Sequence, residues 1–167
     1  MKRSKGIILT LLVIGALSAM AACKTYEAPA ASIAGMLHTN LSGADTTSNT
    51  VSGFVILDTD SDYSNGYSQR ASISLDNSVP GALDSLEGVA YGFDSVPAGS
   101  YYLYAIIDTG GDGELTMTTA SHDAYAYYGN NTANDYNVFV PPAANVIVDT
   151  EGYLTCDFWV GIPYNNG

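Results

Sequence analysis

Basic residues are almost missing from this chain. Five lysines and arginines stand against 17 aspartates and glutamates, a formal charge of −12 over 167 residues. A surface so short of cations has no electrostatic footprint for nucleic acid or for anionic lipid headgroups. Cations, cationic partners and uncharged glycans suit it better. Histidine is nearly absent: His38 and His122 are the only two, too few for a zinc site. Ser121, His122 and Asp123 are adjacent, and neighbours on an extended chain point to opposite faces, so they cannot form a triad among themselves. Two cysteines, Cys23 and Cys156, build no disulfide framework. Beyond the N-terminus there is no helical periodicity and no repeat of fixed length. Paired carboxylates are available everywhere in so acidic a chain, and availability is no argument for a glycosidase. These absences together point away from an enzyme.

What is present starts at the N-terminus. Lys2, Arg3 and Lys5 precede an apolar run, Gly6–Ala19, too short to span a bilayer comfortably and ending in small residues. That pattern is a secretory signal peptide, assigned to residues 1–22 as a helix. Met20-Ala21-Ala22-Cys23 resembles the lipobox of bacterial lipoproteins, with Met20 where that family usually carries Leu, Ile or Val. The resemblance implies diacylation of Cys23, which becomes the new N-terminus and anchors the chain in a membrane. Lys24 follows where an Asp would resemble an inner-membrane retention signal, so in a Gram-negative cell the outer membrane is expected. Cleavage leaves Lys24 and Arg70 against 17 acids, a formal −15. With Cys23 acylated, Cys156 has no intramolecular partner; its place in an alternating strand makes it a small buried apolar residue.

Residues 23–31 read as a lipidated tether and 32–164 as one domain. Short apolar runs bounded by turn residues predict strands at Ser32–His38, Gly53–Leu57, Ala71–Leu75, Tyr91–Phe93, Ser100–Ile107, Leu115–Thr119, Ala124–Tyr128, Asn145–Val148 and Tyr153–Ile162. Residues 82–87 have room for one helical turn. Seven to nine short strands without a helix predict an all-β fold, a single β-sandwich.

Val96-Pro97-Ala98-Gly99-Ser100-Tyr101-Tyr102-Leu103 resembles the V-P-[PA]-G-x-Y-x-[VL] turn and strand of transthyretin-like, or carboxypeptidase regulatory-like, domains. Tyr91-Gly92-Phe93 and Ser32–Leu37 resemble that family's Y-x-F and opening strands, and residues 144–160 its closing pair. The resemblance implies a small Greek-key sandwich. The long segments 39–52 and 59–88 depart from the family pattern.

Two acidic turns are candidate calcium sites. In Asp108–Glu114, Asp108 and Asp112 match the first and fifth positions of an EF-hand-like loop, Gly113 the turn glycine, and Glu114 the carbonyl donor. Gly110 and Thr119 stand where the third and twelfth ligands belong, so this is not an EF-hand, and further carboxylates such as Asp123 or the Glu114 side chain would have to complete it. Asp58, Asp60 and Asp62 have better spacing, but Tyr63 replaces the turn glycine. If the two turns met at one end of the sandwich, a cation would relieve their repulsion. Thirteen tyrosines against one Trp and four Phe form the last feature. Tyr102 with Tyr104, and Tyr125 with Tyr127, share strand faces and could make a sugar-stacking or protein-contact surface; the alternative is half-buried packing. The expected function is a non-catalytic structural or interaction module of the cell envelope, stabilised by calcium, with an unidentified protein or glycan partner. The competing reading is a carbohydrate-binding module using those tyrosines.

Overall fold

A computed structural model describes residues 30–41, 49–78, 87–117, 123–131, 139–149 and 151–162. The signal segment, Cys23, the tether to residue 29, the expected helical turn at 82–86 and His122 lie outside the described residues. The fold is all-β: β1 (Ala30–Asn40), β2 (Thr50–Asp58), β3 (Gln69–Asp76), β4 (Glu87–Pro97), β5 (Gly99–Ile107), β6 (Ala124–Tyr127), β7 (Val146–Val148), β8 (Gly152–Thr155) and β9 (Phe158–Gly161). The only helical element among the described residues is a 3-10 turn at Tyr63–Asn65.

The strands form one curled sheet in the order β3-β2-β5-β6-β9-β1-β4, with β7 added to β5 and β8 to β1. Its middle is held by a single pair, Tyr125 opposite Gly161. The curl brings the edge strands β3 and β4 together, where Gln69 Nε2 donates to the Asp94 carbonyl at 3.2 Å. The inside of the curl is the core. Alternate residues fill it, among them Ile33 and Leu37, Val55 and Leu57, Ile73 and Leu75, Leu103 and Ile107, Phe158 and Val160. Each such side chain removed from water contributes about 1.5–3 kcal/mol.

The V-P-A-G-x-Y segment has a local explanation. Between Ala31–Val96 and Ile33–Phe93 the β1–β4 register slips by one residue, and Ser95 adopts a left-handed φ of 57°. That bulge reverses the alternation, so Phe93 and Val96 both reach the core. The Tyr101 ring then folds back over Gly99, and its hydroxyl donates to the Pro97 carbonyl at 3.0 Å. This turn carries the chain from β4, beside β1, to β5, beside β2.

Two expected strands differ. Tyr153–Ile162 is interrupted at Cys156-Asp157, although both pieces run parallel to β1 in one register. In the gap the Asp157 carboxylate accepts the Met36 amide at 2.8 Å, and Cys156 donates its amide to the Ala34 carbonyl at 2.9 Å. The Cys156 carbonyl turns inward to accept the buried Tyr91 hydroxyl. Leu115–Met117 is not a strand, because the Asp123 carboxylate takes the Thr116 amide at 2.8 Å and its hydroxyl at 3.0 Å.

Gly35 makes the closure at Cys156 sterically feasible, since a Cβ there would lie 2.1 Å from the Cys156 carbonyl oxygen. Gly35→Ala should lower stability by about 1–3 kcal/mol in denaturant melts. Gly92→Ala, whose added Cβ meets nothing nearer than 3.6 Å, should stay within about 0.5 kcal/mol. Equal effects from the two would contradict this account of the kink.

Candidate functional site

Strand β5 is apolar on both faces, and its outer face needs cover. Antiparallel pairing sets Tyr104 beside Ile56 and Tyr127, and Ile106 beside Phe54 and Tyr125. Ile56, Tyr104, Ile106, Tyr125 and Tyr127 form a second buried cluster, over which Phe54, Tyr63, Tyr102, Leu115, Met117 and Phe139 pack. The cover therefore comes from loops: the 3-10 turn, the segment after the acidic loop, and Phe139. Tyr104 and Tyr127 lie with ring centroids 5.5 Å apart, and Tyr125 and Phe139 5.0 Å apart.

The four tyrosines nominated from the sequence do gather, three of them under this layer and Tyr102 within it. Tyr104, Tyr125 and Tyr127 are buried and Tyr102 is half-buried. The tyrosines most open to solvent among the described residues are Tyr67 and Tyr153, 44% and 67% exposed. Burial makes the phenolate costly: it pushes Tyr104 above its ordinary value, with nearby Asp58 adding repulsion, and pushes Tyr127 up to about 12, with Tyr125 and Asp62 adding smaller contributions.

The two acidic turns do not meet. Asp58 ends β2 opposite Tyr102, whereas Asp108 follows the far end of β5 and donates its amide to the Ser52 carbonyl at 3.0 Å. Six residues of strand separate the two ends, about 20 Å. The idea that mutual repulsion between the turns would recruit one shared cation does not apply to this topology.

In the Asp108 loop the lead carboxylate serves the backbone. Its Oδ1 accepts from Gly111 N at 2.6 Å and its Oδ2 from Gly113 N at 3.0 Å. Both glycines have positive φ, 70° and 82°, a conformation other residues adopt only with strain. Asp112 accepts from Glu114 N at 2.9 Å, and both Asp112 and Glu114 are exposed. Asp123, suggested as a completing ligand, is buried and holds Thr116.

The Asp58 turn is different. Asp58 is buried at the sheet end, 5% exposed. Its Oδ1 accepts from Thr59 N at 2.7 Å and, at 3.4 Å, from Ser68 Oγ. Asp60 accepts from Asp62 N and Asn65 Nδ2, and Asp62 from the Ser64 amide and hydroxyl. Those Ser64 bonds, the side-chain one foremost, hold the Asp62 carboxyl below its usual value. Asp58 Oδ2 and the Tyr104 hydroxyl are buried without a hydrogen-bond partner, which the spacing of the sequence could not disclose. Among the described residues no three acidic, histidine or cysteine side chains stand together as a ready-made metal centre.

Of the other reactive groups, His38 stacks on Trp159 with centroids 5.0 Å apart. Cys156 is buried, and that burial pushes its thiol up, away from reactivity. No protein-family model, curated protein or solved structure matches the chain.

Two measurements test this site. Asp108→Ala should destabilise by about 0.5–2 kcal/mol, as loss of an amide cap does, and should speed amide exchange at Gly111 and Gly113; unchanged exchange would remove the stapling role. An alkaline titration followed at the phenolate absorbance reads the covered tyrosines. Tyr127 ionises near 10 when unfolded and near 12 when folded, so its contribution is intact below pH 10 and is lost progressively as pH rises towards 12. The covered set should ionise well above the ordinary tyrosine value, together with loss of the strand signal. One step near 10 for all 13 tyrosines, with the fold intact, would refute the covered cluster.

Proposed function

We propose that this protein is an exported, lipid-anchored module of the bacterial cell envelope that works by presenting a surface to a partner and not by catalysis, with calcium stabilising the fold. The observation that carries this reading is the N-terminus: a basic segment, a short apolar run and Met20-Ala21-Ala22-Cys23. Ala30, where β1 begins, follows Cys23 by seven residues, so the folded body stays within about 25 Å of the anchor even with the link fully extended. An acidic body held that close to a membrane is repelled by anionic headgroups and stands off from them. Lipid attachment thus supplies what the surface charge does not.

The use of side chains supports a non-catalytic role. The Asp108 carboxylate holds loop amides, three of the four nominated tyrosines are buried, and the thiol is enclosed. We also read the curled sheet as a Greek-key sandwich of the transthyretin-like type. In that reading β3-β2-β5-β6 and β9-β1-β4 are its two layers, joined by the single Tyr125–Gly161 pair and crossed by the Pro97–Gly99 turn.

Replacing Cys23 tests the anchoring. In cells fed an alkyne-labelled palmitate, the wild-type chain should take up the label and sediment with membranes. Cys23→Ser should do neither, while Cys156→Ser should leave labelling unchanged. Labelling that survives Cys23→Ser would sink the proposal.

A further inference from the structure

Among the described residues, two buried side-chain oxygens have no hydrogen-bond partner, Asp58 Oδ2 and the Tyr104 hydroxyl, and both belong to one face of the β2–β5 pair. We propose that the Asp58–Asp62 turn is a site for a hard divalent cation of the calcium class, with Asp58 Oδ2 as inner ligand, the Asp60 and Asp62 carboxylates as outer ligands and the Tyr104 hydroxyl as its floor. This rests on the calcium part of the functional reading and assigns it to one turn.

Four observations carry the assignment. The donors are all oxygen, as this class of ion requires, and the carboxylates recur at alternate positions. Each aspartate gives one oxygen to an amide of its own turn, from Thr59, Asp62 and Ser64, and Asp60 gives its second oxygen to Asn65 Nδ2 on the exposed rim. Asp58 Oδ2 is left over, on a side chain that is 5% exposed. Tyr104, fully buried, sits opposite Ile56 on the same sheet face as Asp58, and its hydroxyl lies in the field of Asp58, Asp60 and Asp62. Arg70, the one lysine or arginine among the described residues, pairs with Ile56 nearby, but its guanidinium lies over rings, 4.4 Å from the Phe54 ring centre and 5.1 Å from that of Tyr67. Asp60 and Asp62 are exposed, and to reach the ion Asp60 would exchange its bond from Asn65 Nδ2 for it, while Asp62 would turn its free Oδ2 towards it. The Asp108 carboxylate has no such spare oxygen, since both accept loop amides.

The test is calcium titration of the full chain by calorimetry and by thermal melting, against magnesium and against chelator. Calcium should bind with Kd on the order of 10⁻⁴–10⁻³ M and raise Tm. Asp60→Asn and Asp62→Asn, which keep an amide oxygen to accept the turn's own bonds, should each weaken binding at least tenfold. Tyr104→Phe should weaken it several-fold, and Asp112→Asn with Glu114→Gln should leave it unchanged. Binding lost in Asp112→Asn/Glu114→Gln but kept in Asp60→Asn and Asp62→Asn would retain calcium and overturn this site. Unaltered affinity in Tyr104→Phe would remove the hydroxyl floor. No binding by the wild-type chain would overturn both the site and the calcium part of the function, leaving lipid anchoring untouched.

Discussion

Strand β5 is buried on both faces, and most of the molecule follows from that. A strand with Tyr101, Leu103, Ala105 and Ile107 on one side and Tyr104 and Ile106 on the other must be covered twice. The curl of the sheet covers the inner side. For the outer side the chain has no helix among its described residues, so loops do the work that helices do in an α/β protein. A loop laid over an apolar surface exposes backbone amides that no ladder satisfies, and each one buried without a partner costs about 1–3 kcal/mol. Short carboxylates are suited to satisfying them locally. Asp108 bonds Gly111 and Gly113, Asp123 bonds Thr116, and Asp62 bonds Ser64. Many of the acidic residues in the outer layer are thus explained by backbone chemistry before any ligand is invoked.

This explains what could and could not be read along the chain. Alternation in Tyr101–Ile107 marks a two-faced buried strand, and the all-β class follows from many such short runs. Gly99 and Tyr101 carry their own geometry, a ring folded over a glycine. By contrast, Leu115-Thr116-Met117 has the same period of two as a strand, because any extended segment lying flat on an apolar surface alternates in the same way. Only the Asp123 side chain, meeting Thr116 from across the loop, distinguishes the two, and that is a tertiary contact. The Ser95 bulge is equally silent: a single residue at positive φ reverses the inward alternation, and serine does not announce it.

The two acidic turns show the limit most clearly. Each follows a buried apolar run, so along the sequence they look equivalent. Their relation depends on whether β2 and β5 pair and in which sense. Antiparallel pairing sends their C-termini to opposite ends of the strands. Once separated, the turns differ in what lies beneath them. The Asp108 loop leaves the sheet and returns over the cluster, its carboxylate closed on its own amides. The Asp58 turn begins while its first residue is still buried within the sheet, opposite Tyr102 and on the same face as Tyr104.

That difference concentrates the electrostatics of the molecule. A body carrying a large excess of acids tolerates them when they are exposed, because water and salt screen their repulsion. Asp60, Asp62, Asp94, Asp112, Glu114 and Asp157 are of this kind. Asp58 is not: it is enclosed and has one oxygen unmet, and the buried Tyr104 hydroxyl, on the same sheet face, is also unmet. Apolar packing cannot relieve such a pair, and the nearby arginine lies over aromatic rings. A ligand offering positive charge at this point gains more than at any exposed carboxylate, since the low-dielectric surroundings that penalise the bare oxygen also strengthen its attraction for a cation. Tyr63, from the same turn, packs on the outer cluster. Drawing the turn inward would therefore tighten the loop layer over β5, linking occupancy of a surface turn to the stability of the two-faced strand.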